Sequence, residues 1–249
     1  MFKKLAVAIP LLTLSGLIVQ AQFVAGKNEI GLTIGATIYQ GDLSPKVIGV
    51  VKTAGPALGI HYNRIITNYW SFRANLNIGS LHGDESQFTS PEYMQFRNFN
   101  FSTRLTELSV MGAYNIYGNN DNFKKFSTYA FAGAGIGFIK VKRDYSRLDT
   151  AFFASNPKLV SGLATDSAAK LPRAIPVIPM GLGIKYAILP RISLIAEGTY
   201  RYIFTDYLDG FSYAANPKLK DSYYSVSVGA VFNFGKNKMD CPPSYKWGR

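Results

Sequence analysis

From Tyr224 to Phe234 the chain alternates. Tyr224, Val226, Val228, Ala230, Phe232 and Phe234 are apolar, and Ser225, Ser227, Gly229, Val231 and Asn233 between them are mostly small or polar. A period of two sends the two sets to opposite faces of a β-strand. The pattern recurs along the chain and predicts eight strands, near 28–40, 55–65, 69–82, 103–117, 127–142, 175–188, 191–206 and 221–235. Connections after the second, fourth and sixth strands are short, at 65–68, 118–126 and 189–190, and the others are long, the longest at 143–174. Short turns at one end, long loops at the other and an even strand count predict an all-β fold. This is an eight-stranded antiparallel up-and-down transmembrane β-barrel with both termini periplasmic.

The faces sharpen this expectation. The third strand sets Trp70, Phe72, Ala74, Leu76 and Ile78 against Ser71, Arg73, Asn75, Asn77 and Gly79. Arg73 facing lipid at mid-membrane would cost about 2–4 kcal/mol, so it is assigned inward. By the same parity Glu29, His61, Glu107, Lys185, Glu197 and Arg201 point into the lumen. An eight-stranded barrel is just wide enough inside to be filled by side chains. Unpaired buried charges are costly, so these residues are expected to pair and to plug the barrel. The fifth strand resists assignment, because Phe131, Gly133, Gly135 and Gly137 alternate with Ala130, Ala132, Ala134, Ile136 and Phe138. A soluble lipocalin-like barrel would reverse the two faces, with polar residues outside.

The ends carry their own signals. Lys3 and Lys4, an apolar stretch at 5–19 and Val19-Gln20-Ala21 read as a signal peptide over 1–21. The barrel is then expected over 22–235, with a periplasmic tail over 236–249. The formal net charge is +12 with the two leader lysines, or +10 without them. For a secreted barrel the counter-charge is outer-membrane lipid and lipopolysaccharide phosphate, not nucleic acid. Abundant Tyr and Phe, 16 and 17 residues, suit the aromatic girdles of such barrels.

Candidate chemistry is sparse. The chain has two histidines and shows no Ser, His and acid set on one face or rim, so no catalytic residue, metal or cofactor is assigned. Asp206-Tyr207-Leu208-Asp209-Gly210 has too few carboxylates for a cation site and reads as turn chemistry, as do Gln40-Gly41-Asp42 and His82-Gly83-Asp84. The third long loop reads as basic, with Lys140, Lys142, Arg143, Arg147, Lys158, Lys170 and Arg173, which suits lipid phosphates, a protein partner or simple solvation. Gly229, Phe232 and Phe234 resemble the signal by which a final strand docks onto the barrel-assembly machinery. Cys241 is the single cysteine, and it leaves an intermolecular disulfide and a free thiol both open.

Several segments, in order, carry a resemblance. They are Glu29-Ile30-Gly31, Gly41-Asp42, Trp70-Ser71-Phe72-Arg73-Ala74-Asn75, Gly83-Asp84, Tyr129-Ala130-Phe131-Ala132-Gly133, 179–186, 201–209, Asp221-Ser222-Tyr223-Tyr224 and Cys241-Pro242. Together they resemble the PorG-like outer-membrane barrels of Bacteroidota, over nearly all of the chain after the leader. The resemblance implies a component of type IX secretion that anchors a periplasmic ring, built from a lipoprotein and its partner protein. Within such a role Cys241, the single thiol and expected in the periplasm, is the candidate tether to that lipoprotein. A structural or surface-binding barrel acting through its outer loops is the alternative.

Overall fold

A computed structural model describes residues 27–46, 49–120, 125–215 and 220–235. The expected leader and the tail with Cys241 lie outside these residues. The strands are β1 (Asn28–Gln40), β2 (Gly55–Ile65), β3 (Trp70–Asp84), β4 (Asn100–Asn115), β5 (Phe126–Asp144), β6 (Ala174–Leu189), β7 (Ile192–Ile203) and β8 (Ser222–Phe234). Each pairs antiparallel with its neighbour in sequence. β8 pairs with β1 over thirteen residues, from Asn28↔Phe234 to Gln40↔Ser222, and closes the barrel. Closure leaves no strand edge, which is what a sheet surrounded by lipid requires. The β5–β6 ladder omits two pairs beside Pro179, which has no N–H to give.

Alternation sorts the side chains. Even-numbered residues of the strands face out and odd-numbered ones face in. Leu32, Leu58, Ile78, Leu108, Leu182 and Val228 are each half exposed or more. An apolar band of this extent around a whole molecule is a lipid-facing wall. β5 proves to hold Tyr129, Phe131, Gly133, Gly135 and Gly137 inward and Ala130, Ala132, Ala134, Ile136 and Phe138 outward. Its inward glycines stand beside Met111, Ser109 and Glu107 of β4, whose side chains fill that part of the lumen.

The inner end has tight turns. Thr67 Oγ1 accepts from the N–H groups of Tyr69 and Trp70. At the next turn Asn115 donates to Asn119 and Asn120. The outer loops, by contrast, carry helices that alternation does not reveal: α1 (Tyr93–Arg97) after β3 and α2 (Pro157–Ala168) after β5. β4 begins three residues earlier than the sequence predicts and β7 ends three earlier. Lys140, Lys142 and Arg143 belong to β5 and not to a loop, which corrects the reading of a basic third loop beginning at Lys140.

These loops pack into a cap. Asp166 of α2 accepts from the backbone N–H groups of Ser212, Tyr213 and Ala214, so the fourth loop hangs on the third. In the second loop Glu85 and Arg97 form a buried pair. Glu85 also accepts from Phe99 N, and Arg97 donates to Asp42 O of the first loop. Beneath the loops, Tyr39, Leu81, Phe99, Phe101, Leu105, Leu208, Phe211 and Tyr223 form an apolar core that fills the outer mouth.

Candidate functional site: the braced lumen

Three ion pairs cross the lumen at successive depths. Nearest the inner end, Lys185 Nζ of β6 lies 2.7 Å from Glu29 Oε1 of β1. Asn63 donates to the second oxygen of Glu29 at 3.0 Å. Farther in, Arg73 Nη1 of β3 meets Glu197 Oε1 of β7 at 2.6 Å, and Tyr129 donates to the same oxygen. Arg73 Nε also donates to Asn63 Oδ1 at 2.8 Å, so Asn63 links the first pair to the second. Toward the outer end, Arg201 Nε meets Glu107 Oε2 at 2.5 Å. Tyr223 donates to that carboxylate, and Ser225 accepts from Arg201.

The guanidinium planes are enclosed by rings. Arg73 lies 5.3 Å from the Tyr129 ring and 5.0 Å from that of Phe131, and Arg201 lies 5.2 Å from that of Tyr223. Glu197 and Arg201, four residues apart on β7, therefore serve different partners. Every carboxylate in these pairs has an additional donor, the condition under which buried charges are tolerated.

Two small voids lie within the described part of the lumen. One of about 30 Å³ is lined by Arg73, Asn77, Glu197, Arg201 and Tyr223. The other, about 20 Å³, is lined by Glu29, Asn63, Arg73, Tyr129 and Lys185. Each has room for about one or two waters. Arg73 borders both. Buried Asn77 Nδ2 and His61 Nε2 lack partners, and Asn77 faces the larger void.

The remaining sequence candidates fall elsewhere. His61 is in the lumen, but His82 faces outward beside Ser80 Oγ at 3.1 Å, so the two histidines share no site. Among the described residues no group of three or more His, Cys, Asp or Glu is placed to hold a metal. Asp206 accepts from Ser212 Oγ at 2.5 Å, which is turn chemistry. Gly229 lies on β8, with Phe232 and Phe234 outward and their rings stacked 6.4 Å apart.

Asp209 belongs to a unit that the sequence does not announce. Tyr39 Oη lies 2.6 Å from Asp209 Oδ2 and 2.7 Å from Asp221 Oδ1. A hydroxyl has one proton, so it donates to one carboxylate, and the other carboxyl must be protonated to donate in turn. Burial pushes the Asp209 carboxyl up to about 8. Burial, then the charge of Asp209, raises Asp221 as well. The other carboxylate oxygens accept from Leu208 N and Phe211 N, so the unit pins the fourth loop to β1. Its only sequence signal is a pair of acids flanking one outer loop.

A closed eight-stranded barrel, apolar toward lipid, ion-paired within and capped outside, defines a small outer-membrane-type β-barrel. More narrowly, the chain belongs to the family described as a domain of unknown function (DUF6089), which it matches over residues 8–236. No curated protein matches it in sequence. Solved structures similar to it include Ail, the attachment invasion locus protein of Yersinia pestis, in complex with the heparin analogue sucrose octasulfate (14% identity, TM-score 0.46, 84% of this chain and 99% of that one). Neisserial surface protein A is also similar (13%, TM-score 0.47, 84% and 99%). So is the outer membrane protein OprG of Pseudomonas aeruginosa (9%, TM-score 0.47, 86% and 99%).

Proposed function

We propose that this chain is a non-conducting outer-membrane barrel that anchors a periplasmic ring of the type IX secretion system. The role in secretion rests on the resemblance to PorG-like barrels. The observation that supports anchoring over conduction is the blocked lumen, whose voids of about 30 and 20 Å³ leave no route for a polypeptide. In this reading the barrel is the fixed point in the membrane, and Cys241, beyond β8, is a covalent tether to the ring lipoprotein.

The test is a non-reducing gel of native outer membranes, wild type beside Cys241→Ser. A heavier band that collapses with reductant, is absent from the variant and contains a ring lipoprotein is the expected result. A single monomer band in both would remove the tether. Unimpaired secretion after deletion of residues 237–249 would remove the tail from the anchoring role. A steady large conductance in a planar bilayer would refute the blocked barrel.

A second reading, a surface-binding barrel, is favoured by the cap. The outer loops form a folded surface with Tyr93, Phe152, Val160 and Tyr213 exposed upon it. That reading requires secretion to be intact without the tail and function to be lost when the third loop is shortened.

A further inference from the structure

The outward wall of β4 and β5 changes character over two residues. Along β4 the outward positions run Val110, Leu108, Thr106, Arg104, Ser102, and along β5 they run Ala134, Ile136, Phe138, Lys140, Lys142. The register sets Arg104 opposite Lys140 and Ser102 opposite Lys142. On the other side of β4, Ser80 stands opposite Arg104 and His82 opposite Ser102. All three cations are exposed. No ion pair among the described residues includes any of them. One level toward the inner end, the same wall is Ile78, Thr106 and Phe138, part of the lipid-facing band. One level toward the outside it is Asp84, Asn100 and Asp144. Those two acids are engaged in local turns, Asp84 accepting from Ser86 N and Asp144 from Ser146 N.

Like charges directly opposite one another weaken a strand pair. Arg104 and Lys140 meet in this way, with Lys142 diagonal to Arg104, so their counter-charge comes from outside the chain. Their height and direction identify its source. They project sideways from the wall at the upper edge of the apolar band, where the neighbouring matter is lipid head groups and not bulk water. The feature is local. On the opposite side of the barrel the outer ends of β7 and β8 present Tyr200, Tyr202 and Tyr224. A phosphate suits the donors present, because the Arg104 fork can hold two of its oxygens while the lysines act as point charges. Ser80, Ser102 and His82 add polar side chains beside it.

We infer that Arg104, Lys140 and Lys142 form a docking site on the barrel wall for the phosphorylated head group of a glycolipid in the outer leaflet. The site is independent of the tail and of the secretion reading.

The experiment uses the full chain folded in neutral detergent and measures binding of bisphosphorylated lipid A, with lipid A stripped of its phosphates as comparison. Saturable binding is expected for the phosphorylated lipid alone. Replacing all three cations, Arg104→Gln with Lys140→Gln and Lys142→Gln, should weaken it about a hundred-fold at low salt. Arg104→Lys, which keeps the charge and loses the fork, should bind more weakly than the wild type and more tightly than Arg104→Gln, which separates charge from folding. Lys158→Gln with Lys220→Gln, in other loops, should change nothing. Equal binding by the triple variant, or equal binding of the dephosphorylated lipid, would overturn the site. Displacement of the lipid by millimolar inorganic phosphate would reassign it to a soluble anion and overturn the lipid assignment.

Discussion

Arg73 and Glu197 stand on strands that face each other across the barrel, β3 and β7, and meet at its centre at 2.6 Å. Both are buried, so removing one leaves the other uncompensated. Arg73→Ala is expected to lower stability by about 3–5 kcal/mol. Pairing Arg73→Met with Glu197→Leu should cost far less than either single loss, because a buried pair replaced by apolar groups of similar volume is close to neutral. Urea unfolding of the detergent-folded barrel, read as a shift in midpoint, measures both. A double variant as unstable as the sum of its parts would show that the pair contributes no coupling.

The unit of Tyr39, Asp209 and Asp221 gives the cap a pH dependence with a definite sign. The Asp209 carboxyl lies near 8 in the fold and near 4 in an unfolded chain, so the folded cap binds its proton more tightly. Its stabilising contribution is complete below pH about 4 and is lost as pH rises through about 8. Limited proteolysis of the outer loops should accelerate as pH rises from about 4 to about 8 and level off above it, while the barrel stays folded. Asp209→Asn should flatten that profile, since an amide can donate to the Tyr39 oxygen without a titrating proton. A profile that is unchanged in the variant would locate the pH response elsewhere.

Gly162 lets α2 lie against the fourth loop. A Cβ at this position would stand 2.3 Å from the backbone oxygen of Tyr213, with backbone on both sides of the contact. Gly162→Ala should therefore lift the loop from the helix, at a cost of about 1–3 kcal/mol confined to the cap. Hydrogen exchange should rise at Ser212, Tyr213 and Ala214, whose N–H groups bond to Asp166. The β-ladder should keep its protection.

The lipid-facing wall yields a quantitative check. Leu108, in mid-strand and half exposed, should cost about 2–4 kcal/mol as Leu108→Arg if this face meets the bilayer centre. The neighbouring Arg104, at the head-group level, should tolerate Arg104→Leu with little change in unfolding midpoint. Equal effects at the two positions would misplace the membrane.

Most of the barrel is legible in the sequence because alternation is a direct print of geometry. Where one face meets lipid and the other a packed lumen, as in β7 and β8, the two sets differ in chemistry and the faces follow. β5 shows the limit. Both of its faces are small over 132–135, and only its partners reveal which side is full. The loops carry no period of two. Asn156 caps α2 through Leu159 N, with Pro157 next in sequence, yet this helix start is buried in a loop read for charge alone. The Tyr39 unit joins residues 170 and 182 positions apart, and no local pattern contains such a contact. The parity of Lys140 and Lys142 could be counted from the sequence, but their meeting with Arg104 needed the strand register.

A thin-walled tube yields first by flattening, since its round section can become an ellipse without breaking any bond along the wall. The pairs β1 to β6, β3 to β7 and β4 to β7 span this section along different chords and at different heights. Asn63 joins the lower two. Lateral pressure in a crowded membrane is therefore met by spokes as well as by the rim, and a pull applied at the inner end is shared by the whole cylinder.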